Sequence, residues 1–244
     1  MEYTLIQKCV FELIGTLVLV LMGDGVCAAV TLNKSKAQGA GWVAIALGWG
    51  LAVMCGVFVS QPSGAHLNPV VTLGCALAGK FAWGAVIPYI IAQMIGGFLG
   101  AVVVYAFYKD HFDATADQPD AMLGCFCTMP AISHKTNNFF CEMVATFLLV
   151  YTILAFGTAG NSSEIGMGSL GAFPVTALIM AIGFSIGGTT GYAMNPARDL
   201  SPRIAHAVLP IKGKRDSGWE YSWIPVFGPA TGAALAAALF LIFY

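Results

Sequence analysis

Two stretches of this chain carry residues whose types and spacing suggest chemistry. One is Ser63-Gly64-Ala65-His66-Leu67-Asn68-Pro69-Val70, the other Thr190-Gly191-Tyr192-Ala193-Met194-Asn195-Pro196-Ala197-Arg198-Asp199. In each, a hydroxyl residue precedes a glycine, and that glycine stands four residues before an Asn-Pro pair. Read locally, each is a helix start. Asparagine is a strong N-cap, and proline suits the first helical position, whose N–H would be orphaned anyway. An asparagine that caps through its oxygen keeps an NH₂ to donate elsewhere. Gly64 and Gly191 permit the backbone angles that a sharp re-entrant turn demands. This chemistry is solute recognition by fixed donors and acceptors rather than bond making. No HExxH pattern is present, and the one GxSxG match, Gly183-Phe184-Ser185-Ile186-Gly187, lies at the end of an apolar run rather than on a strand-to-helix turn, so an intramembrane enzyme is discounted.

The elements that position these stretches follow from composition. Of 244 residues, 58% are hydrophobic and only 9% charged, with mean hydropathy +0.78. Soluble domains carry roughly 25% charged residues, so an all-α integral membrane protein is expected. The net charge of -1 and the lack of a basic tract give nucleic acid nothing to bind. Met1-Glu2-Tyr3-Thr4-Leu5 lacks a charged n-region, and the first apolar run reads as a retained span rather than a signal peptide.

A span needs about 20 apolar residues. Six runs are assigned as spans: 9–30, interrupted by Glu12 and Asp24, then 42–59, 83–108, 139–156, 170–186 and 223–244. Two shorter pieces, 70–78 and 197–208, are too short to cross and suit re-entrant half-helices. The order repeats. Glu12-Leu13-Ile14-Gly15-Thr16 opens one half and Glu142-Met143-Val144-Ala145-Thr146 the other, with Asn68 and Asn195 at similar distances beyond. Three spans and a half-helix, twice, place the second copy in opposite orientation. The chain therefore reads as a single domain, 1–244, made of inverted repeats over roughly 5–108 and 138–244 joined by the polar loop 109–137, with the half-helix N-termini meeting near the midplane.

Gly96, Gly97, Gly100, Gly228, Gly232, Ala233, Ala234 and Ala236 are read as close-packing residues. Lys34, Lys36, Lys109, Lys135, Lys212, Lys214 and Arg215 fall on one side of this topology, against Lys8 and Lys80 on the side of the N-terminus. Taken alone, that bias puts the termini outside. Among the cysteines, Cys9, Cys27, Cys55, Cys75 and Cys141 read as small hydrophobes. Cys125 and Cys127 near His134 match no usual ligand spacing, so no metal and no cofactor is expected.

The stretch Gly64-Ala65-His66-Leu67-Asn68-Pro69, the triplet Asn195-Pro196-Ala197 and the pair Arg198-Asp199 resemble the aquaporin family, in its glycerol-facilitator branch, over nearly the whole chain. The resemblance implies six tilted spans around a pore, half-helices meeting at Asn68 and Asn195, a homotetramer with one pore per subunit, and cytoplasmic termini. The last point conflicts with the charge bias. By the same resemblance, Trp49, Gly183, Tyr192 and Arg198 form the outer constriction, with Gly183 as its open side, and Asp199 and Pro225 are typical of glycerol facilitators. Two positions depart from the pattern: Val70 replaces an alanine, and Tyr192 adds a hydroxyl to a wall usually made by phenylalanine.

The implied function is passive conduction of glycerol and similar small neutral solutes (water, urea, dihydroxyacetone, hydrogen peroxide, protonated lactic acid) across a plasma membrane. Trp49 and Tyr192 would face the carbon backbone of glycerol and Arg198 its hydroxyls, since each hydrogen bond stripped from water must be replaced. The carbonyls of Gly64, Ala65, His66, Gly191, Tyr192 and Ala193 would accept along the path, and Asn68 and Asn195 would donate at its midpoint. Glu12 and Glu142 admit two readings: buttresses that accept loop N–H groups, or proton carriers in a coupled secondary transporter, the competing function. His66 is expected to pack at the cytoplasmic mouth.

Overall fold

The computed structural model describes residues 3–158 and 170–244, so the opening Met1-Glu2 lies outside the described residues. The described residues form helices and turns, with no strand among them. In chain order the helices are α1 (Leu5–Thr31), α2 (Gly41–Ser60), α3 (Pro69–Leu77), α4 (Trp83–Phe107), α5 (Lys109–Asp113), α6 (Pro119–Leu123), α7 (Lys135–Phe156), α8 (Phe173–Ser185), α9 (Pro196–Val208) and α10 (Ile224–Phe243).

Five of these, α1, α2, α4, α7 and α10, are long and apolar enough to cross a membrane. The sixth, α8, is apolar but has only 13 residues. It begins three residues later than the apolar run suggests, at Phe173-Pro174, where the proline sets the first turn. The half-helices α3 and α9 start at Pro69 and Pro196, as the Asn-Pro pairs require. Local chemistry fixes other starts too. Thr4 and Gln7 form a reciprocal capping box on α1, and the His134 ring caps α7 by accepting from the Asn137 N–H.

The packing has the symmetry expected of a repeat. Helix α1 packs on α4 as α7 packs on α10, while α9 lies against α4 as α3 lies against α10, and α2 meets α8. Two glycines show why these contacts are so close. A Cβ on Gly96 would collide with the Leu13 carbonyl, and one on Gly232 with the Met143 carbonyl. Leu13 and Met143 each follow the buried glutamate of their half, so the same helix crossing occurs twice. Ala233 and Ala236 are buried at the crossing, whereas Ala234 points outward.

The segment 109–137 is more ordered than its polarity suggests. Helices α5 and α6 fold it back, burying Phe112, Met122, Leu123 and Phe126, and the side chain and N–H of Asn33 tie it to the end of α1. Three of the cations on this side have structural partners. Lys214 donates to the carbonyls of His206, Ala207 and Leu209 at the end of α9, Arg215 pairs with Asp120, and Lys109 with Asp113. The lysine over those last carbonyls complements the α9 dipole.

Candidate functional site

The two re-entrant loops are held by one glutamate each. Glu12, fully buried on α1, accepts from Ser63 Oγ (2.6 Å) and the His66 N–H (2.9 Å) through Oε1, and from the Leu67 N–H (2.7 Å) and Gln93 Nε2 (2.8 Å) through Oε2. Glu142, equally buried on α7, accepts from Thr190 Oγ1 (2.6 Å) and the N–H groups of Ala193 (3.0 Å) and Met194 (2.9 Å). Ser63, His66 and Leu67 thus correspond one to one with Thr190, Ala193 and Met194.

With the N–H groups drawn to one side, the backbone between them is forced into unusual conformations. Positive φ occurs at Gly64 (92°), Ala65 (52°) and Leu67 (53°), and again at Gly191 (83°), Tyr192 (38°) and Met194 (50°). Such conformations cost non-glycine residues about 1–3 kcal/mol each, and the charge-assisted bonds to Glu12 and Glu142 hold them in place. Only the two glycines are legible as turn positions in the sequence. The four other residues carry no local signature of it.

Asn68 and Asn195 cap α3 and α9, accepting from the N–H groups of Val70 (3.0 Å) and Ala197 (2.9 Å). Their NH₂ groups are not wholly free, as the caps alone suggest. Asn68 Nδ2 donates to the Met194 carbonyl (2.8 Å) and Asn195 Nδ2 to the Leu67 carbonyl (2.9 Å). Each amide then has one N–H left, and both asparagines line the main cavity. Val70 is buried in the core rather than in the cavity wall, where Val71 stands instead. Its extra methyls therefore leave the lumen unchanged.

The main cavity, about 240 Å³, runs from His66 past Asn68 and Asn195 to Trp49, Tyr192 and Arg198. A second chamber, about 170 Å³, lies toward the end of α1 away from the N-terminus and is lined in part by Cys27, Trp42, Cys127 and Thr128. Trp49, Tyr192 and Arg198 line both chambers. The guanidinium of Arg198 lies 4.0 Å from the centre of the Trp49 ring, a cation–π contact. At the other mouth, His66 contacts Phe81 and Tyr89 edge-on or tilted, and its Nδ1 lies 3.1 Å from Thr72 Oγ1.

Gly183 is not an open side. A Cβ there would stand 2.9 Å from Tyr192 Cζ and 3.0 Å from its hydroxyl, and Gly183 lines neither chamber. The glycine makes room for the Tyr192 ring, which occupies the space that appears vacant in the sequence. Trp42 supports the same ring from the outer chamber: its Nε1 donates to the Gly183 carbonyl (2.8 Å) and it meets Tyr192 edge-on at 5.8 Å.

Asp199 anchors the segment that closes the outer chamber. One carboxylate oxygen accepts from the Thr128 N–H (2.7 Å) and hydroxyl (2.6 Å), the other from Arg203 Nη2 (2.8 Å). Arg203, completely buried, also donates to the carbonyls of Thr128, Ser217 and Gly218. Trp42, Thr128 and Arg203 are not evident from the motifs. The signals that point to them are the spacing of Trp42 seven residues before Trp49, on one face of α2, and an i,i+4 Asp199–Arg203 pair in a half-helix otherwise poor in charge. Asp24 is buried with Oδ2 unpartnered among the described residues. Cys125, Cys127 and His134 are not brought together: each thiol donates to a carbonyl of the α6 turn and His134 caps α7. Burial pushes both thiols up from the usual cysteine range.

The chain is similar to several known proteins. Glycerol uptake facilitator protein 3 of Lactiplantibacillus plantarum is 56% identical over 94% of this chain and 93% of its own length. The D/L-lactic acid transporter of the same organism is 38% identical over 96% of this chain and 95% of its own. The aquaglyceroporin from Plasmodium falciparum superposes with a TM-score of 0.85 at 30% identity, covering 98% of this chain and 97% of that one. The profile described as Major intrinsic protein matches residues 1–240, and the chain belongs to that family of integral, multi-pass membrane proteins.

Proposed function

We propose that this protein is a passive channel for glycerol and other small neutral solutes, with water, and that Trp49, Tyr192 and Arg198 form its constriction with Gly183 as the seat of the Tyr192 ring. The observation that carries the reading is that these three residues, two aromatic and one cationic, are the wall common to both chambers. A solute moving between chambers meets apolar faces on one side and guanidinium donors on the other, which suits a molecule with a carbon back and a hydroxyl edge. Beyond the constriction, the left-handed backbone leaves the carbonyls of Gly64, Ala65, His66, Gly191, Tyr192 and Ala193 as acceptors. Those of Leu67 and Met194 are taken by the crossed asparagines. The remaining N–H of each asparagine donates at the midpoint.

The N-termini of α3 and α9 meet at the same place, each equivalent to roughly half a positive charge. Together with Arg198 they repel cations and protons while neutral solutes pass. A lumen lined in this way suits conduction rather than catalysis. We place it in the plasma membrane as a homotetramer with His66 at the cytoplasmic mouth, and treat residues 1–244 as one domain of two inverted repeats. Urea, dihydroxyacetone and protonated lactic acid are further candidate solutes, the last in keeping with the relative named as a lactic acid transporter.

A coupled transporter would need a carboxylate free to take up and release protons. Glu12 and Glu142 instead accept from four and three donors, an arrangement that suits fixed buttresses. The test is light scattering of proteoliposomes under gradients of glycerol, urea, lactic acid and sucrose. Glycerol flux linear in its gradient and indifferent to imposed proton or sodium gradients is expected. Uphill accumulation driven by a pH gradient would refute the channel reading.

A further inference from the structure

The Trp49 ring is held by three contacts of different kinds. One face lies on α1 where Gly23 has no side chain, since a Cβ there would run into the ring. Arg198 lies 4.0 Å from the ring centre. The indole Nε1 donates to Cys27 Sγ at 3.4 Å, one turn along α1 from Gly23. Face contacts hold the plane of the ring but do not distinguish the two orientations, a half-turn about the Cβ–Cγ bond apart, that exchange its edges. A hydrogen bond does, and this one is the directional contact of the three.

We propose that Cys27 is a positioning residue for solute specificity: its sulfur holds the Trp49 indole N–H away from the lumen, so that the ring presents a carbon edge to the solute. The inference rests on the reading of Trp49 as part of the constriction. A buried indole N–H needs a partner, and Cys27 borders the outer chamber while being only 8% exposed. Without that acceptor the N–H turns toward water or solute in the adjoining chamber, and the apolar wall acquires a donor. Water gains from such a donor, while the carbon back of glycerol loses its matched surface. Trp42, two turns earlier on the same face of α2, is tied in a parallel way, its N–H to the Gly183 carbonyl and its ring against Tyr192. Both aromatic walls are thus oriented through an indole N–H directed at a neighbouring helix.

The test compares Cys27→Ala, Cys27→Val and Cys27→Ser in proteoliposomes, reading the glycerol-to-water permeability ratio, which does not depend on how much protein is incorporated. Loss of one weak hydrogen bond is expected to lower the ratio about three- to fivefold in the alanine and valine variants. Serine, which keeps an acceptor at reduced volume, should retain the native ratio. In a Trp49→Phe background, with no N–H to hold, the three substitutions should have no further effect. An unchanged ratio in alanine and valine, or an equal shift in serine, overturns the proposal. Trp49→Ala, measured alongside, separates the two levels. If it too leaves the ratio unchanged, the constriction reading fails, and if it shifts the ratio while the Cys27 variants do not, only the positioning role fails.

Discussion

Gly183→Ala isolates the role of the Tyr192 ring. The new Cβ would stand 2.9 Å from Tyr192 Cζ, 3.0 Å from its hydroxyl and 3.2 Å from Ala46 Cβ. Carbon atoms in good contact lie about 3.5–4.0 Å apart, so the ring must retreat by roughly 0.6 Å or more. Helix α8 closes off one side, with Gly187 also against the ring, and Trp42 meets it edge-on. The free direction is the lumen. Overpacking of this kind costs about 1–3 kcal/mol. If it appears as an added barrier at the constriction, glycerol slows about five- to a hundredfold, while water, being smaller, is slowed much less. Gly183→His should do the same more severely. The assay is the glycerol-to-water ratio in proteoliposomes, with Tyr192→Leu added to Gly183→Ala as the compensating change. A single methyl that slows both solutes equally in well-folded protein, or that is not relieved by removing the ring, would refute the reasoning.

Val70→Ala should lower stability in detergent by about 1–2 kcal/mol, the loss expected for two buried methyls, while leaving the glycerol-to-water ratio unchanged; a changed ratio would show that Val70 reaches the lumen. Arg203→Lys leaves several partners of the buried guanidinium unsatisfied and should cost about 3–5 kcal/mol, read as a lower melting temperature and poor yield. A native melting temperature would mean that the Thr128 segment is held by other contacts. Asp24→Asn removes a buried acid with an unpartnered oxygen and should be neutral or stabilising, by up to about 3 kcal/mol, with glycerol flux within about twofold of native. A marked loss of flux would assign that carboxyl to transport.

The sequence made some parts of this molecule legible because their cause is local. The Asn-Pro pairs announce α3 and α9, since capping and the fixed φ of proline act over three residues. Glu12 and Glu142 stand out because an acid in an apolar run needs a reason. What escaped depends on partners far along the chain. The bond from Trp49 to Cys27 joins residues 22 apart and that from Trp42 to Gly183 joins residues 141 apart, and no pattern within either helix encodes them. The left-handed φ of Ala65, Leu67, Tyr192 and Met194 is imposed by buried carboxylates on other helices. Gly183 misleads for the same reason: a missing side chain reads as vacancy until the neighbour that fills it is known.

The crossed asparagines bear on how the chain is made. Asn68 donates to a carbonyl 126 residues downstream, on the loop that Glu142 holds, and Asn195 reaches back 128 residues to the loop that Glu12 holds. Neither half therefore contains its own finishing partner. As the chain emerges from the ribosome, the first re-entrant loop must wait, its amide unmatched, until the second has been inserted from the opposite face. Closure of the midpoint is then a late event in biogenesis that joins the halves. A chain cut within residues 109–134 should yield two fragments that fail alone and recover glycerol conduction when synthesised together.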